Sequence, residues 1–263
     1  MGKVNIAFDH IENKKEIKEL SVVLYTDSFF YGFWDNQDIL VKSGRSSLKN
    51  LKSFLSDLNS EGFPLNIVRI MSTVKPYVHV GQEDYVKEDA SLYFKGLFRK
   101  KRLNTLKLTK DTFVAEPIHT LHYVVGDLNK FTKSMSIPVK IGHISTAMAN
   151  YAFLIEKDFI SYISDNTLHL AFRKEDNFQF YNQFECYHKE DFLYFYMLAF
   201  YGLDLDPEQQ DVFIGGGIDE TSPLFKLLNG YLPSIQLGEN ALQVESIFPK
   251  HYYFDLYLCK SCV

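Results

Sequence analysis

The sequence predicts an α/β protein made of two duplicated halves, each with a mixed sheet that opens with three antiparallel strands and is flanked by helices. Three observations carry this expectation. Ser21 to Trp34 reads as strand, turn, strand: Val22, Leu24 and Thr26 alternate with Val23 and Tyr25, a turn falls at Asp27-Ser28, and Phe29 to Trp34 resumes as an extended run. A second copy comes about half the chain later, where Phe159 to Ser164 runs into Asp165-Asn166-Thr167 and then Leu168 to Phe172. The third is the aromatic content, 23 Phe and 17 Tyr among 263 residues, which suits pleated, half-buried surfaces.

In the first half, Asp9 to Lys18 is mostly charged and polar and reads as an arm or peripheral strand. After the Asp27 hairpin, Ile39 to Ser43 reads as a third strand, ended by Gly44 to Ser47, which would also cap a helix. Leu48, Leu51, Phe54, Leu55 and Leu58 recur at helical spacing, and Gly62 and Pro64 stop that helix. Leu65 to Met71 is a strand, followed by an extended piece through Pro76 to Val80. Glu88 to Phe98 has a helical pattern, and Arg99-Lys-Lys-Arg102 is the one dense basic cluster, in an excursion near residues 99–110. Leu121 to Val125 and Val139 to His143 are strands around a short helix, Asp127 to Met135. Ser145 or Thr146 then caps a helix to about Lys157.

The second half repeats the order, with strands at Phe159 to Ser164, Leu168 to Arg173 and Phe178 to Glu185. The helix from Lys189 to Tyr201 is apolar on most faces, which predicts a place between layers. Asp211 to Ile214 is a strand, Gly215-Gly216-Gly217 a turn, and Ser222-Pro223 a helix start with Pro at its first position. Ser234 to Leu237 and His251 to Leu258 read as the closing strands. No Pro-, Gly- or Ser-rich linker separates the halves, so the expected domains are 1–148 and 149–263.

Composition sets limits on function. With 46% hydrophobic and 23% charged residues the chain is ordinarily globular, and a formal charge of −5 argues against a general binder of nucleic acid or anionic membrane. No run approaches the roughly 18 apolar residues of a membrane span. Met1 to Asp9 lacks a signal-peptide core, and Ile6 stands where a myristoylation pattern needs Ser or Thr. Three cysteines, Cys186, Cys259 and Cys262, do not make a disulfide framework, so a cytoplasmic location is expected.

This order of strands and helices, occurring twice, resembles the actin-like ATPase fold, in which two ribonuclease-H-like halves face a nucleotide cleft. The chain is also similar to the uncharacterised bacterial family called domain of unknown function 3822, assigned to that fold and without an established activity. In actin-like ATPases the turn of each leading hairpin carries an Asp followed by Gly and by Ser or Thr. There the amides hold phosphate, and the carboxylates organise a metal and the attacking water. The resemblance places those catalytic carboxylates at Asp27 and Asp165 and the hydroxyls at Ser28 and Thr167. Both hairpin glycines are missing, and close approach of backbone to phosphate is easier for Gly than for Phe29. The adenosine-side motif, a strand followed by a Gly pair and a helix, is matched by Val212 to Gly217.

Each candidate also has a plain structural reading. Asp27 and Asp165 suit hairpin turns in which the carboxylate bonds its own backbone. Gly215 to Gly217 suits a tight strand-to-helix turn; it lacks the Lys of a P-loop and the Rossmann spacing. Asp219 and Glu220, just before the next helix, would repel phosphate. Cys259-Lys-Ser-Cys262 supplies only half of a zinc site and reads as a frayed tail. Glu116, His119 and His122 would share a face only on a helix, whereas their stretch reads as extended, so no metal is assigned. No nucleophile signature stands out.

Two functions follow. The preferred one is a non-catalytic cytoplasmic binding or scaffold protein with degenerate phosphate loops, taking a protein partner or small ligand in the cleft the resemblance implies. The alternative is an ATPase or kinase-type phosphotransferase that uses Asp27 and Asp165 with ATP and magnesium, with Gly215, Gly216 and Gly217 under the adenosine. Nucleic-acid contact through Arg99 to Arg102 is a weaker third.

Overall fold

The computed structural model describes residues 16–95, 106–114, 116–125, 128, 132, 133, 135–238 and 249–262. The chain divides into two units: unit 1 comprises Met1–Ala147 with Gln243–Glu245 and Cys259–Val263, and unit 2 comprises Met148–Leu242 with Ser246–Leu258.

Unit 1 opens with the antiparallel strands β1 (Ile17–Leu24), β2 (Ser28–Asp35) and β3 (Leu40–Ser47). Helix α1 (Leu51–Ser60) leads to β4 (Ile67–Ser72), which lies parallel to β1. Leu51, Phe54, Leu55 and Leu58 are buried at the spacing that aligns side chains on one helical face. They join Leu20, Val22 and Leu24 of β1 and Phe29 and Phe33 of β2 in one core. Gly44 to Ser47 do not end β3 as the sequence suggested. Their backbone stays in the ladder with β2 as far as the pair Ser28 and Ser47, and Ser47 makes no side-chain cap to the short 3-10 turn that follows.

Between β4 and the last strand of this sheet, the chain forms a separate antiparallel sheet from β5 (Tyr77–Gly81), β6 (Leu106–Thr112) and β7 (Ile118–Val125), in the order β5-β7-β6. Strand β6 occupies the end of the excursion expected near residues 99–110, where no strand was expected. Of the helix expected over 88–98, the described part holds only a 3-10 turn, Leu92–Phe94. The basic cluster Arg99 to Arg102 lies outside the described residues, as does most of the helix expected over 127–135. Strand β8 (Val139–His143) completes the main sheet in the order β3-β2-β1-β4-β8 and runs into helix α2 (Ile144–Leu154), within which the division between units falls. Ser145 and Thr146 sit inside the first turn of α2 rather than capping it; the Ser145 amide donates to the ring of His143 at 3.2 Å.

Unit 2 builds the same order again. Its strands β9 (Phe159–Ser164), β10 (Thr167–Lys174) and β11 (Asn177–Glu185) are antiparallel, helix α3 (Lys189–Gly202) follows, and β12 (Val212–Gly216) lies parallel to β9. Helix α4 (Pro223–Asn229) starts on Ser222, whose hydroxyl accepts the Phe225 amide at 3.0 Å, and leads to β13 (Ile235–Leu237). The resulting order is β11-β10-β9-β12-β13. Two sheets with one connectivity and one pattern of strand directions give the duplicated ribonuclease-H-like architecture expected from the repeat.

Two features of unit 2 differ from expectation. Helix α3 buries Phe192, Tyr196, Ala199 and Phe200 but leaves Tyr194, Leu198 and Tyr201 exposed, so it is a one-sided surface helix. His251 to Leu258 is not a strand: a 3-10 turn, Lys250–Tyr253, enters helix α5 (Phe254–Lys260). Its aromatic residues have high strand propensity, but His251, Phe254 and Leu258 recur at helical spacing and are all buried, and packing overrides propensity.

Candidate functional site

The two hairpins bring Ser28 and Thr167 to corresponding positions and carry Asp27 and Asp165 in their loops. In unit 1 the Tyr25 amide donates to the Ser28 carbonyl at 2.9 Å, leaving Thr26-Asp27 as a two-residue loop. In unit 2 Ser164 pairs with Thr167, leaving Asp165-Asn166 as the loop. Asp165 has φ 48°, the left-handed region that Asp and Asn tolerate best among residues with a side chain. The carbonyl of Asp27 accepts the Leu48 amide at 2.8 Å, and that of Asn166 accepts the Cys186 amide at 2.7 Å.

These bonds fix the correspondence of the halves. Ser28 matches Thr167, Asp27 matches Asn166, and Asp165 matches Thr26. The hydroxyls occupy equivalent positions and the carboxylates are displaced by one residue. Asp27 and Asp165 are both exposed, neither buried beneath Phe29, Phe33 or Trp34. Beside Asp27, the Arg45 guanidinium lies 4.8 Å from the Tyr25 ring centre, and its Nε donates to the Ser28 hydroxyl at 3.3 Å.

The glycines follow from strand packing. Gly215 and Gly216 are the last residues of β12, not a turn, and only Gly217 lies beyond it. Gly216 has φ 102°, and a Cβ there would stand 2.0 Å from the Ile163 carbonyl oxygen. A Cβ on Gly215 would meet the Phe254 ring at 2.4 Å. These contacts alone call for glycine at both positions. Around Gly217 the nearest atom to an added Cβ is the Ile163 oxygen at 3.9 Å, so neighbouring atoms leave room there. The Gly217 amide donates to the Ile163 carbonyl at 2.9 Å, next to the Asp165 hairpin. Further along, the Asp219 carboxylate accepts the Thr221 amide at 2.8 Å and its hydroxyl, and these bonds hold its pKa below the ordinary value.

Sequence reading passed over a second polar site, inside unit 1. His119 and His122 point to opposite faces of β7, as expected for a strand. His119 bonds Thr112 at 3.0 Å, whereas His122 is wholly buried with its ring 5.3 Å from that of His143. The His143 ring stacks on Tyr77 at 4.7 Å, and its Nδ1 lies 2.8 Å from the Ser145 hydroxyl. His79 Nε2 reaches the same hydroxyl at 3.0 Å. Thr120 and Thr146 share a hydrogen bond of 2.6 Å, and Asp111 accepts the His143 amide at 3.1 Å.

Burial sets the protonation of these groups. It pushes His79 down to about 4 and His122 down to about 3, so both rings are neutral near pH 7. Burial also raises Asp111 to about 6, against the opposing effect of the His143 and Thr112 amides and the Thr146 hydroxyl. Neither ring nitrogen of His122 has a hydrogen-bond partner among the described residues. Four segments remote in sequence build this cluster, and only the alternation of Thr120, His122 and Val124 along β7 hints at it. Among the described residues, no group of three or more His, Cys, Asp or Glu side chains is arranged to hold a metal ion.

Known structures share the fold. A protein of actin-like ATPase fold and unknown function from Bacteroides thetaiotaomicron VPI-5482 is similar at a TM-score of 0.70, with 16% identity over 97% of this chain and 99% of that one. The PilM-PilN type IV pilus biogenesis complex contains a chain similar at a TM-score of 0.55, with 9% identity over 94% of this chain and 98% of that one. Among curated proteins none matches. No helix among the described residues is long and apolar enough to cross a membrane. The architecture is thus that of the actin-like ATPases. The family model described as Protein of unknown function (DUF3822) matches residues 11–235, most of the chain, and the protein belongs to that family.

Proposed function

We propose that this protein is a non-catalytic binding or scaffold protein of the cytoplasm, which keeps the duplicated architecture of the actin-like ATPases with degenerate phosphate loops. The observation that carries the reading is the state of the loops. The leading hairpins present Thr26-Asp27 and Asp165-Asn166 with no glycine in either, and the residue after Ser28 is the buried Phe29. A phosphate cradle needs several backbone amides free to converge on one anion, which glycine-poor turns disfavour. The glycines at 215 and 216 are accounted for by Phe254 and Ile163. A fold neighbour named as part of a pilus biogenesis complex supports a role in assembly for this architecture. Three free, buried thiols favour a reducing compartment.

The test is a titration of the whole chain with labelled ATP and magnesium. No binding up to millimolar nucleotide is expected. Micromolar binding that Asp27→Asn abolishes overturns the proposal in favour of an ATPase or phosphotransferase, in which Asp27 and Asp165 would organise magnesium and Ser28, Thr167 and Gly217 would face the nucleotide.

A further inference from the structure

We propose that Cys259 and Cys262 form a reversible redox pair that closes to an intramolecular disulfide within unit 1. The geometry carries this independently of any nucleotide or partner. Cys259 lies in the last turn of α5, and the Cys262 amide donates to the Cys259 carbonyl at 3.2 Å. A turn closed by such a bond holds its end Cα atoms within about 7 Å, overlapping the usual range for a disulfide. The Cys259 thiol stands close enough to Cys262 to raise its pKa. Both are almost fully buried, whereas Cys186 belongs to unit 2 and packs into its core.

The surroundings keep the pair together. Arg69 donates from Nη1 to the Cys262 carbonyl, and Lys260 pairs with Asp38 while its ammonium stands 4.5 Å from the Trp34 ring centre. The Cys259 sulfur lies 3.5 Å from the Arg69 carbonyl oxygen. Cys262 occupies the space a side chain at Gly142 would need, with its sulfur 2.8 Å from that Cβ position. The Cys259 thiol, burial and the Asp111 carboxylate all raise the Cys262 pKa, although Arg69 opposes them. The closed native state therefore disfavours its thiolate, and exchange proceeds through local opening.

The oxidant is a small-molecule disulfide. One protein thiol, deprotonated, attacks it to give a mixed disulfide and a small-molecule thiolate. The second protein thiolate attacks the mixed disulfide and expels another. Two cysteines lose two protons and two electrons, and the oxidant becomes two thiols. In a reducing compartment such a pair is a sensor rather than a permanent staple.

The experiment incubates the folded chain with glutathione disulfide, blocks remaining thiols with N-ethylmaleimide in denaturant, and reads intact and peptide masses. In the expected result more than about half of the chain carries a single maleimide, at Cys186, with a Cys259–Cys262 peptide lighter by two hydrogens, reversed by dithiothreitol. Cys262→Ser should abolish the lighter species and trap a glutathione adduct at Cys259 or leave it free. Three maleimides on most of the chain, or a stable adduct at either cysteine of the wild-type pair, overturns the proposal.

Discussion

The main-chain amide of Gly217 donates to the carbonyl of Ile163 at 2.9 Å, and in the other unit the amide of Thr73 donates to the carbonyl of Leu24 at 3.0 Å. The same joint between the end of a central strand and the residue after its parallel neighbour thus occurs in both halves. In unit 1 it is reinforced by the Thr73 hydroxyl, which bonds the same oxygen at 2.9 Å. In unit 2 a glycine replaces that side chain.

Gly216→Ala should be severely destabilising. Its Cβ would overlap a backbone oxygen and its φ lies in the region that side chains resist, so a loss of several kcal/mol is expected. Gly217→Ala meets no such neighbour and should stay within about 1 kcal/mol of wild type. Thermal or denaturant unfolding of the two variants reads the difference. Equal losses would contradict the assignment of these glycines.

Stability should fall as the pH drops from about 6.5 toward 4. His79 and His122 have folded pKa values lowered to about 4 and about 3, so their contribution is complete above the unfolded histidine value and is lost on acidification. Asp111 acts oppositely: its pKa is raised to about 6, so its contribution is complete below the unfolded carboxylate value and is lost as the pH rises to 6. Two histidines against one carboxylate leave a net loss in acid. Urea midpoints between pH 4 and 7 measure it.

His122→Leu should flatten that profile and raise stability at pH 5. The substitution removes a group that must stay neutral, and two buried nitrogens without partners among the described residues, while leaving a side chain of comparable volume. The gain should be about 1 kcal/mol or more. A variant less stable than wild type at pH 5 would show that the ring is satisfied in solution, for example by ordered water.

Tyr196→Phe should cost about 1 kcal/mol without altering the fold. The Tyr196 hydroxyl donates to Ser161 at 2.6 Å, and Ser161 donates to the Phe213 carbonyl at 3.2 Å, all within the core of unit 2. A double-mutant cycle with Ser161→Ala should show coupling, since the two hydroxyls form one chain.

Legibility in the sequence followed local periodicity. Strands β8 and β9 were readable to the residue because Val139 to His143 starts after Pro138 with Val and Ile alternating about Lys140, and Phe159 to Ser164 is a largely apolar run bounded by Asp158 and Asp165. Strand β6 was not, since Leu106 to Thr112 alternates with lysines and threonine beside a basic cluster and reads as polar loop. At Gly215 and Gly216 composition signalled a turn, whereas the causes are Phe254, on a helix about forty residues away, against Gly215 and the Ile163 backbone against Gly216. The His79, His122 and His143 cluster depends on one sheet facing another strand's end, a relation no window of sequence contains. The tail at Cys259 to Cys262 read as frayed, but it is buried and held by Arg69.

The one-residue displacement between the hairpin carboxylates has a consequence for ancestry. Laying one sheet on the other puts Asp165 over Thr26 and Asn166 over Asp27, so the acids are not twin descendants of a single codon. Whatever each now does, it need not mirror the other, and loss of one is no guide to loss of its neighbour in name.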